Sequence, residues 1–529
     1  MLLPIPDTRA TWAVYGALLT LVALLFFAGL ADLPLDTHDG DYFRDSADAL
    51  ADPAAFFAAD KRMPGRPVLE LVMLLQYAAW GANVAAYHLF GGLLHCVAAF
   101  TLARAARALG LDLACALLTG LLFLVNVSHF NAVHWISAQC YPLVLICGSL
   151  ALAAHLRGQT TTVYALLVAG ALCHIAAAAF LPFFLYMSWR RGEPIRLHRY
   201  LPLGALLAAL ILALKLGYPQ APQATIAADG FDPLGIARNQ FICWSRLFTT
   251  AHWLPHPLHR ILPWEWVTGA AALIACAALQ WRYHFPTSPW LTWIFVHLLP
   301  TLLLAPDYIA DIPSGPSRYL YLASAGIAGL IAWALIASAN SIPRRARPLL
   351  ALPVILVCWT SYVGLQQSTA ITRYSAGRHY LADRDFVQGI EQFTRAIDTA
   401  PSAINLEDAY TRLVPMLYNQ AHDDADRTLT TALNRYTQNY ILRLLRLALE
   451  SLEATTAAES ARRKLATFKK SPGVSRLIAE LYFHIGRGRH RQSDRTGALI
   501  ALRHSLAFDP LRDQTHQAVR AALALPLQP

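Results

Sequence analysis

A chain of 529 residues that is 56% hydrophobic and only 14% charged, where soluble domains carry about 25% charged residues, excludes a water-soluble globule and points to an integral membrane protein. The formal charge of +10 would suit nucleic acid, but no basic run with interleaved aromatics occurs and Lys and Arg gather at the ends of apolar runs, so membrane topology accounts for the charge and nucleic acid is excluded. Eight cysteines form no CxxC pair and no Cys/His metal spacing, which indicates neither a zinc site nor a disulfide framework.

The first apolar run, Thr11 to Ala31, is too long for a signal-peptide core and reads as a retained helix. Further spans are expected near 84 to 108, 111 to 127, 138 to 157, 161 to 190, 199 to 217, 262 to 281, 288 to 305, 318 to 338 and 349 to 365. Arg104 and Arg107, then Arg157, then Arg190, Arg191, Arg196 and Arg199, then Arg282, then Arg344, Arg345 and Arg347 flank successive runs, and the positive-inside rule places them all in the cytoplasm. For Arg157 and Arg190 to share that side, 161 to 190 must go out and back as two short helices. The expected fold class is therefore all-α, a polytopic membrane domain over 1–367 of about 11 transmembrane helices followed by a helical domain over 368–529 on the outer face. The Ala/Leu/Arg-rich composition and short loops suit a bacterial inner membrane, with a cytoplasmic N-terminus and a periplasmic C-terminal domain.

The first outer loop, 32 to 66, holds Asp36-Thr37-His38-Asp39-Gly40-Asp41-Tyr42-Phe43-Arg44-Asp45, far more acidic than its surroundings. Such a cluster where a helix surfaces is a candidate for acid/base or metal chemistry, although most charge runs are solvated caps, which suffices for Asp45, Asp48 and Asp52. Asp52-Pro53-Ala54-Ala55-Phe56-Phe57 starts a short surface helix, Arg66-Pro67 opens another, and Trp80-Gly81-Ala82-Asn83 breaks it before the next span. In the 126 to 135 loop His129, Asn131 and His134 sit at a depth where polar groups must be paired or wet. The 218 to 260 loop, rich in Pro and aromatics, reads as surface-lying helices. Arg318 and Tyr319, in Ser317-Arg318-Tyr319-Leu320-Tyr321-Leu322, stand at the mouth of a later span, where a guanidinium demands an anion.

Beyond Leu365 two segments share a pattern, Asp385 to Pro401 and Arg495 to Pro510. Each carries small residues twelve and five positions before its Pro, Gly389 and Ala396 in one and Ala498 and Ser505 in the other, as in the second helix of a tetratricopeptide-type hairpin.

Together these pieces resemble the GT-C fold of lipid-sugar-dependent glycosyltransferases, most of all the transmembrane and tetratricopeptide-repeat O-mannosyltransferases and their bacterial relatives. The carriers are Asp39-Gly40-Asp41-Tyr42, Arg66-Pro67, Tyr87-His88-Leu89-Phe90-Gly91-Gly92-Leu93-Leu94-His95, Ala132-Val133-His134-Trp135-Ile136-Ser137 and Ser317 to Leu322. The chain departs from its relatives at Asn131, at Ile175-Ala176 and at Ser317, where they carry Glu, Lys-Glu and an acidic residue. The resemblance implies an enzyme that moves a sugar from a polyprenyl-phosphate donor to a protein or glycan hydroxyl acceptor, with Asp39 or Asp41 as general base and inversion at the sugar. Arg318, with Arg66 and Lys215 in support, would steady the leaving phosphate, and His38, His129, Asn131, His134 and Tyr319 would line the substrate. No cofactor is required; His38, Asp39 and Asp41 could hold Mg²⁺ or Mn²⁺. A catalytically inactive scaffold recruiting partners through its repeats is the alternative, and a lipid-linked glycan transporter a weaker one, because acidic residues are scarce inside the spans.

Overall fold

The computed structural model describes residues 6–35, 39–193, 197–217, 233–248, 263–283, 288–303, 318–343, 351–453, 456–468 and 471–524. His38, Asp307, Asp311 and Ser317 lie outside these, as does the side chain of Lys215. All regular structure among the described residues is helical, and the chain divides into two compact units, Met1–Thr372 and Arg373–Pro529.

In the first unit four helices are long and apolar enough to cross a membrane: Arg9–Phe26, Val84–Ala108, Ile136–Leu156 and Arg318–Ser341. At 1.5 Å per residue each reaches roughly the 30 Å of a hydrocarbon core. Some of the other expected spans are shorter apolar helices, such as Leu113–Leu124, whose 12 residues extend only about 18 Å, while others fall in longer helices such as Pro263–Tyr283 and Ala351–Ala382. The stretch expected to double back consists of Thr160–Cys173 and Phe180–Arg190 with the 3₁₀ turn Ile175–Ala179 between them. The break before the second long helix falls at Gly81, whose φ of 55° is one that side chains with a Cβ rarely adopt. Close helix packing uses small residues, as membrane interfaces do: a Cβ on Gly148 would lie 2.0 Å from the Phe180 ring and one on Gly329 2.4 Å from Trp290.

Part of the stretch read as surface-lying is instead well covered. In the helix Pro233–Phe248, residues Ile242 to Leu247 are buried, and Arg246 Nε lies 3.1 Å from Glu265 Oε1 at the start of Pro263–Tyr283. An arginine can be buried there because a carboxylate from the next helix meets it, a pairing that local composition does not reveal.

The second unit takes in the end of the helix Ala351–Ala382 and then Phe386–Thr399, Leu406–Asn419, Ala425–Arg435, Tyr440–Glu450, Thr456–Thr467, Pro472–Arg491, Arg495–Phe508 and Asp513–Leu523. Short connections end in side-chain caps that satisfy the orphan N–H groups of the next helix. Asp385 accepts from Gln388 N at 3.2 Å, Asn405 from Asp408 N at 3.1 Å, Asn439 from Leu442 N at 2.9 Å and Asp494 from Gly497 N at 2.8 Å. Gly389, Ala396, Ala498 and Ser505 are all buried where helices press together. Two of the caps follow residues in left-handed backbone, Arg384 at φ 64° and Ser493 at φ 62°, and Ala421 at φ 57° occupies a third turn. Left-handed backbone costs a residue with a Cβ about 1–2 kcal/mol, whereas glycine loses about 0.4–1 kcal/mol through unfolded-state entropy. Ser493→Gly or Ala421→Gly is therefore expected to stabilise this unit by about 0.5–1 kcal/mol, read as a rise in thermal midpoint.

His484 is buried in this unit, where its Nδ1 accepts from Asn419 Nδ2 at 2.8 Å. Burial, and then the nearby Arg512, push its pKa down to about 4. The folded chain thus keeps this imidazole neutral while the unfolded chain protonates it near its ordinary pKa. Stability is full above that ordinary value of about 6.5 and falls as pH drops toward 4, by about 2 kcal/mol at pH 5. Hydrogen exchange of the segment 478–485 at pH 7 and pH 5 checks this, and His484→Gln should flatten the difference.

Candidate functional site

From Asp39 onward the acidic stretch is helical. Residues Asp39–Ala51 form a helix, with Asp39 and Asp41 in the first turn, where the helix dipole favours carboxylates. Asp39, Tyr42, Phe43 and Ser46 recur at helical spacing and make up its buried face. Asp39 is 0% exposed, and its Oδ1 accepts from Ser137 N at 2.9 Å and from Ser137 Oγ. Phe43 packs 4.5 Å from the Tyr87 ring. Asp41 is 30% exposed, with Arg44 at 3.8 Å. Asp45 accepts the backbone N–H of Arg62 and Met63 and, with Asp48, binds the Arg62 side chain at 3.2 and 3.0 Å. These two acids fold the loop back on itself, and Asp52 caps the turn Pro53–Phe57.

Arg66 precedes the proline that starts Pro67–Trp80, and its N–H donates to Glu70 Oε1 at 2.6 Å. Glu70 also forms a buried ion pair with Lys61. The Arg66 guanidinium is near enough to the Tyr42 phenol, Cys140 and Tyr141 to act on them electrostatically. Arg318 stacks 4.3 Å over Trp135 and 4.6 Å over Tyr319, and its Nη2 donates to Tyr319 Oη at 2.8 Å. Both guanidiniums are near enough to Cys140 and His174 to act on them electrostatically. The short segment Trp135–Ser137 therefore carries Arg318 at one end and Asp39 at the other, on residues whose Cα atoms are at most about 7 Å apart. Gln139 fixes that segment, donating to Tyr87 O at 3.1 Å and accepting from Gln76 Nε2 at 2.9 Å.

Two of the expected histidines, His129 and His134, are buried. Ser324 Oγ donates to Tyr321 O at 2.8 Å, so the 2.7 Å contact to His129 Nδ1 has the imidazole as donor and leaves Nε2 an acceptor with no partner among the described residues. By the same reasoning His95 Nε2 donates to Leu124 O at 3.0 Å and its Nδ1 accepts from the Tyr321 hydroxyl at 2.8 Å. Burial, with His95 beside it, holds His129 well below the usual imidazole range; burial, then His88, brings His134 to about 3. Both rings are neutral at physiological pH, suited to hydroxyl groups rather than to phosphate. Asn131 starts the short helix Asn131–His134, and its carbonyl accepts from Trp135 N at 3.1 Å.

The structure thus gathers Asp39, Arg318 and Tyr319 around one segment, sets Arg66 near the Cys140 that follows it, ties His129 to the helix that follows Arg318, and gives Asp41 a partner of its own. Among the described residues no three His, Cys, Asp or Glu side chains come together to hold a metal ion. Ser137, Trp135, Tyr42, His95 and Tyr321 have roles that the sequence alone does not show. Each lies inside a motif already singled out, so the signal was the motif; the pairing was invisible. Scanned against family models, curated proteins and solved structures, the chain matches none of them. What fold and site define is a helical membrane protein with a polar cluster of one carboxylate, two guanidiniums and neutral imidazoles beside its long apolar helices.

Proposed function

We propose that this protein is a polytopic glycosyltransferase of the GT-C kind, with about eleven crossings, an outer-face tetratricopeptide-like domain and a polyprenyl-phosphate-sugar donor. The observation that carries the reading is the shared attachment of Asp39 and Arg318 to Trp135–Ser137. An acceptor hydroxyl on a protein or glycan is a poor nucleophile, so a positioned carboxylate takes its proton as the bond from sugar C1 to phosphate oxygen breaks. Ser137 holds Asp39 Oδ1 with two donors, which fixes the orientation of the carboxylate. The departing phosphate gains charge where water is scarce, and Arg318, with Arg66 near the same Cys140, supplies the compensating cations. One carboxylate acting as base implies displacement in a single step with inversion.

A second reading has an observation of its own. Asp39 is fully covered and doubly bonded to Ser137, as befits an anchor in a catalytically inactive scaffold that recruits partners through its helical repeats. Incubating the purified protein with labelled polyprenyl-phosphate sugars and hydroxyl acceptors separates the two: transfer supports the enzyme, and no transfer from any such donor supports the scaffold.

A further inference from the structure

Charge is unevenly divided within the second unit. Residues 373–453 carry nine Lys/Arg against eleven Asp/Glu, whereas 456–524 carry thirteen against five. In the first of these stretches acids outnumber cations, and several of the cations are paired: Arg395 with Glu391 at 2.9 Å, Arg412 with Asp408 at 2.7 Å and Arg427 with Asp424 at 2.7 Å. In the second, Arg512 alone among the described arginines and lysines has a carboxylate within ion-pair distance, Glu480 at 3.6 Å.

The unpaired cations concentrate at one end of three helices. Arg487 and Arg491 are one turn apart in the last turns of Pro472–Arg491, and Arg487 is pushed down by burial and by Arg491 beside it. Like charges at that spacing are destabilising, so the fold bears a cost there. Arg495 opens the next helix and donates to Leu523 O at 2.8 Å, which brings the end of Asp513–Leu523, with Arg520, to the same place. Asp494, the nearby acid, caps Gly497 N. Leu523, 49% exposed, and Ile500, 39% exposed, lie on these helices with the cations. Exposed Leu and Ile interspersed with unpaired Arg suit the boundary between lipid headgroups and acyl chains.

We propose that this basic end of the second unit docks on anionic phospholipid headgroups. The same chain carries helices long and apolar enough to cross a bilayer, so the tether keeps the effective lipid concentration high and modest affinity suffices. Each cation near an anionic membrane surface strengthens binding about fivefold, and the attraction is screened as salt rises.

The test uses the full chain in nanodiscs of phosphatidylcholine alone or of equal parts phosphatidylcholine and phosphatidylglycerol, with hydrogen exchange followed over 484–495 and 513–524. Both segments are expected to be more protected in the anionic discs, and the difference should vanish at high salt. Replacing Arg487, Arg491 and Arg520 by Glu is expected to weaken docking by at least about a hundredfold, abolishing the difference, while exchange of the core around Leu442 and Leu445 shows that the unit remains folded. Equal protection in the two kinds of disc overturns the proposal. So does protection by a soluble polyglutamate peptide in neutral discs without any effect of anionic lipid, which would make the partner an acidic protein segment.

Discussion

Asp39→Asn is expected to lower the rate of sugar transfer by about 10²–10⁴-fold, the usual contribution of a general base, with little change in thermal stability. Asn keeps an oxygen where Oδ1 now accepts from Ser137 N and Oγ, so the attachment of the Asp39–Ala51 helix survives while the proposed proton acceptor is lost. Asp39→Ala removes both functions. It leaves Ser137, itself buried, with two unsatisfied donors at about 1–3 kcal/mol each, and it should lower the thermal midpoint as well. Steady-state turnover with a labelled polyprenyl-phosphate sugar, set beside melting curves of the two variants, distinguishes base from anchor. Full turnover in Asp39→Asn would leave this carboxylate a purely structural role.

Removing either partner of the Arg246–Glu265 pair is expected to destabilise the first unit by about 3–5 kcal/mol, because it strands a buried charge. The two side chains are 5% and 0% exposed and 3.1 Å apart. Ser245 and Thr268 join hydroxyls at 2.7 Å beside them, and the helices approach so closely that a Cβ on Gly269 would lie 1.9 Å from Phe241 O. Arg246→Leu should therefore melt or aggregate far more readily in detergent than the parent. Replacing both residues together by apolar ones should restore much of the loss, since desolvating two charges offsets most of their mutual attraction. A double variant as unstable as the single ones would show that the pair does more than neutralise itself.

Along the chain, what could be read depended on how far apart the cooperating residues lie. The helix Val84–Ala108 was legible because an unbroken apolar run states its own length, and Gly81 marks its approach by a local backbone need. In the second unit Gly389, Ala396, Ala498 and Ser505 mark buried positions of their helices, because small size and spacing are properties of single helices. The sequence marks Asp39 as special, but only as part of an acidic outer loop. Its burial depends on donors from Ser137, 98 residues away, and nothing in the local composition announces them. Arg246 carries no local mark for the same reason: its acid belongs to another helix.

From the order of residues alone come the all-helical character, the apolar helices long enough for a bilayer and the change to ordinary charge in the later part, because hydrophobic periodicity and helix length are local quantities. Which polar side chains could be buried at all was decided only when the chain closed on itself. Burying a charge or an imidazole is unfavourable until a partner from a distant segment arrives, and here Ser137, Trp135, Glu265 and Tyr321 are those partners.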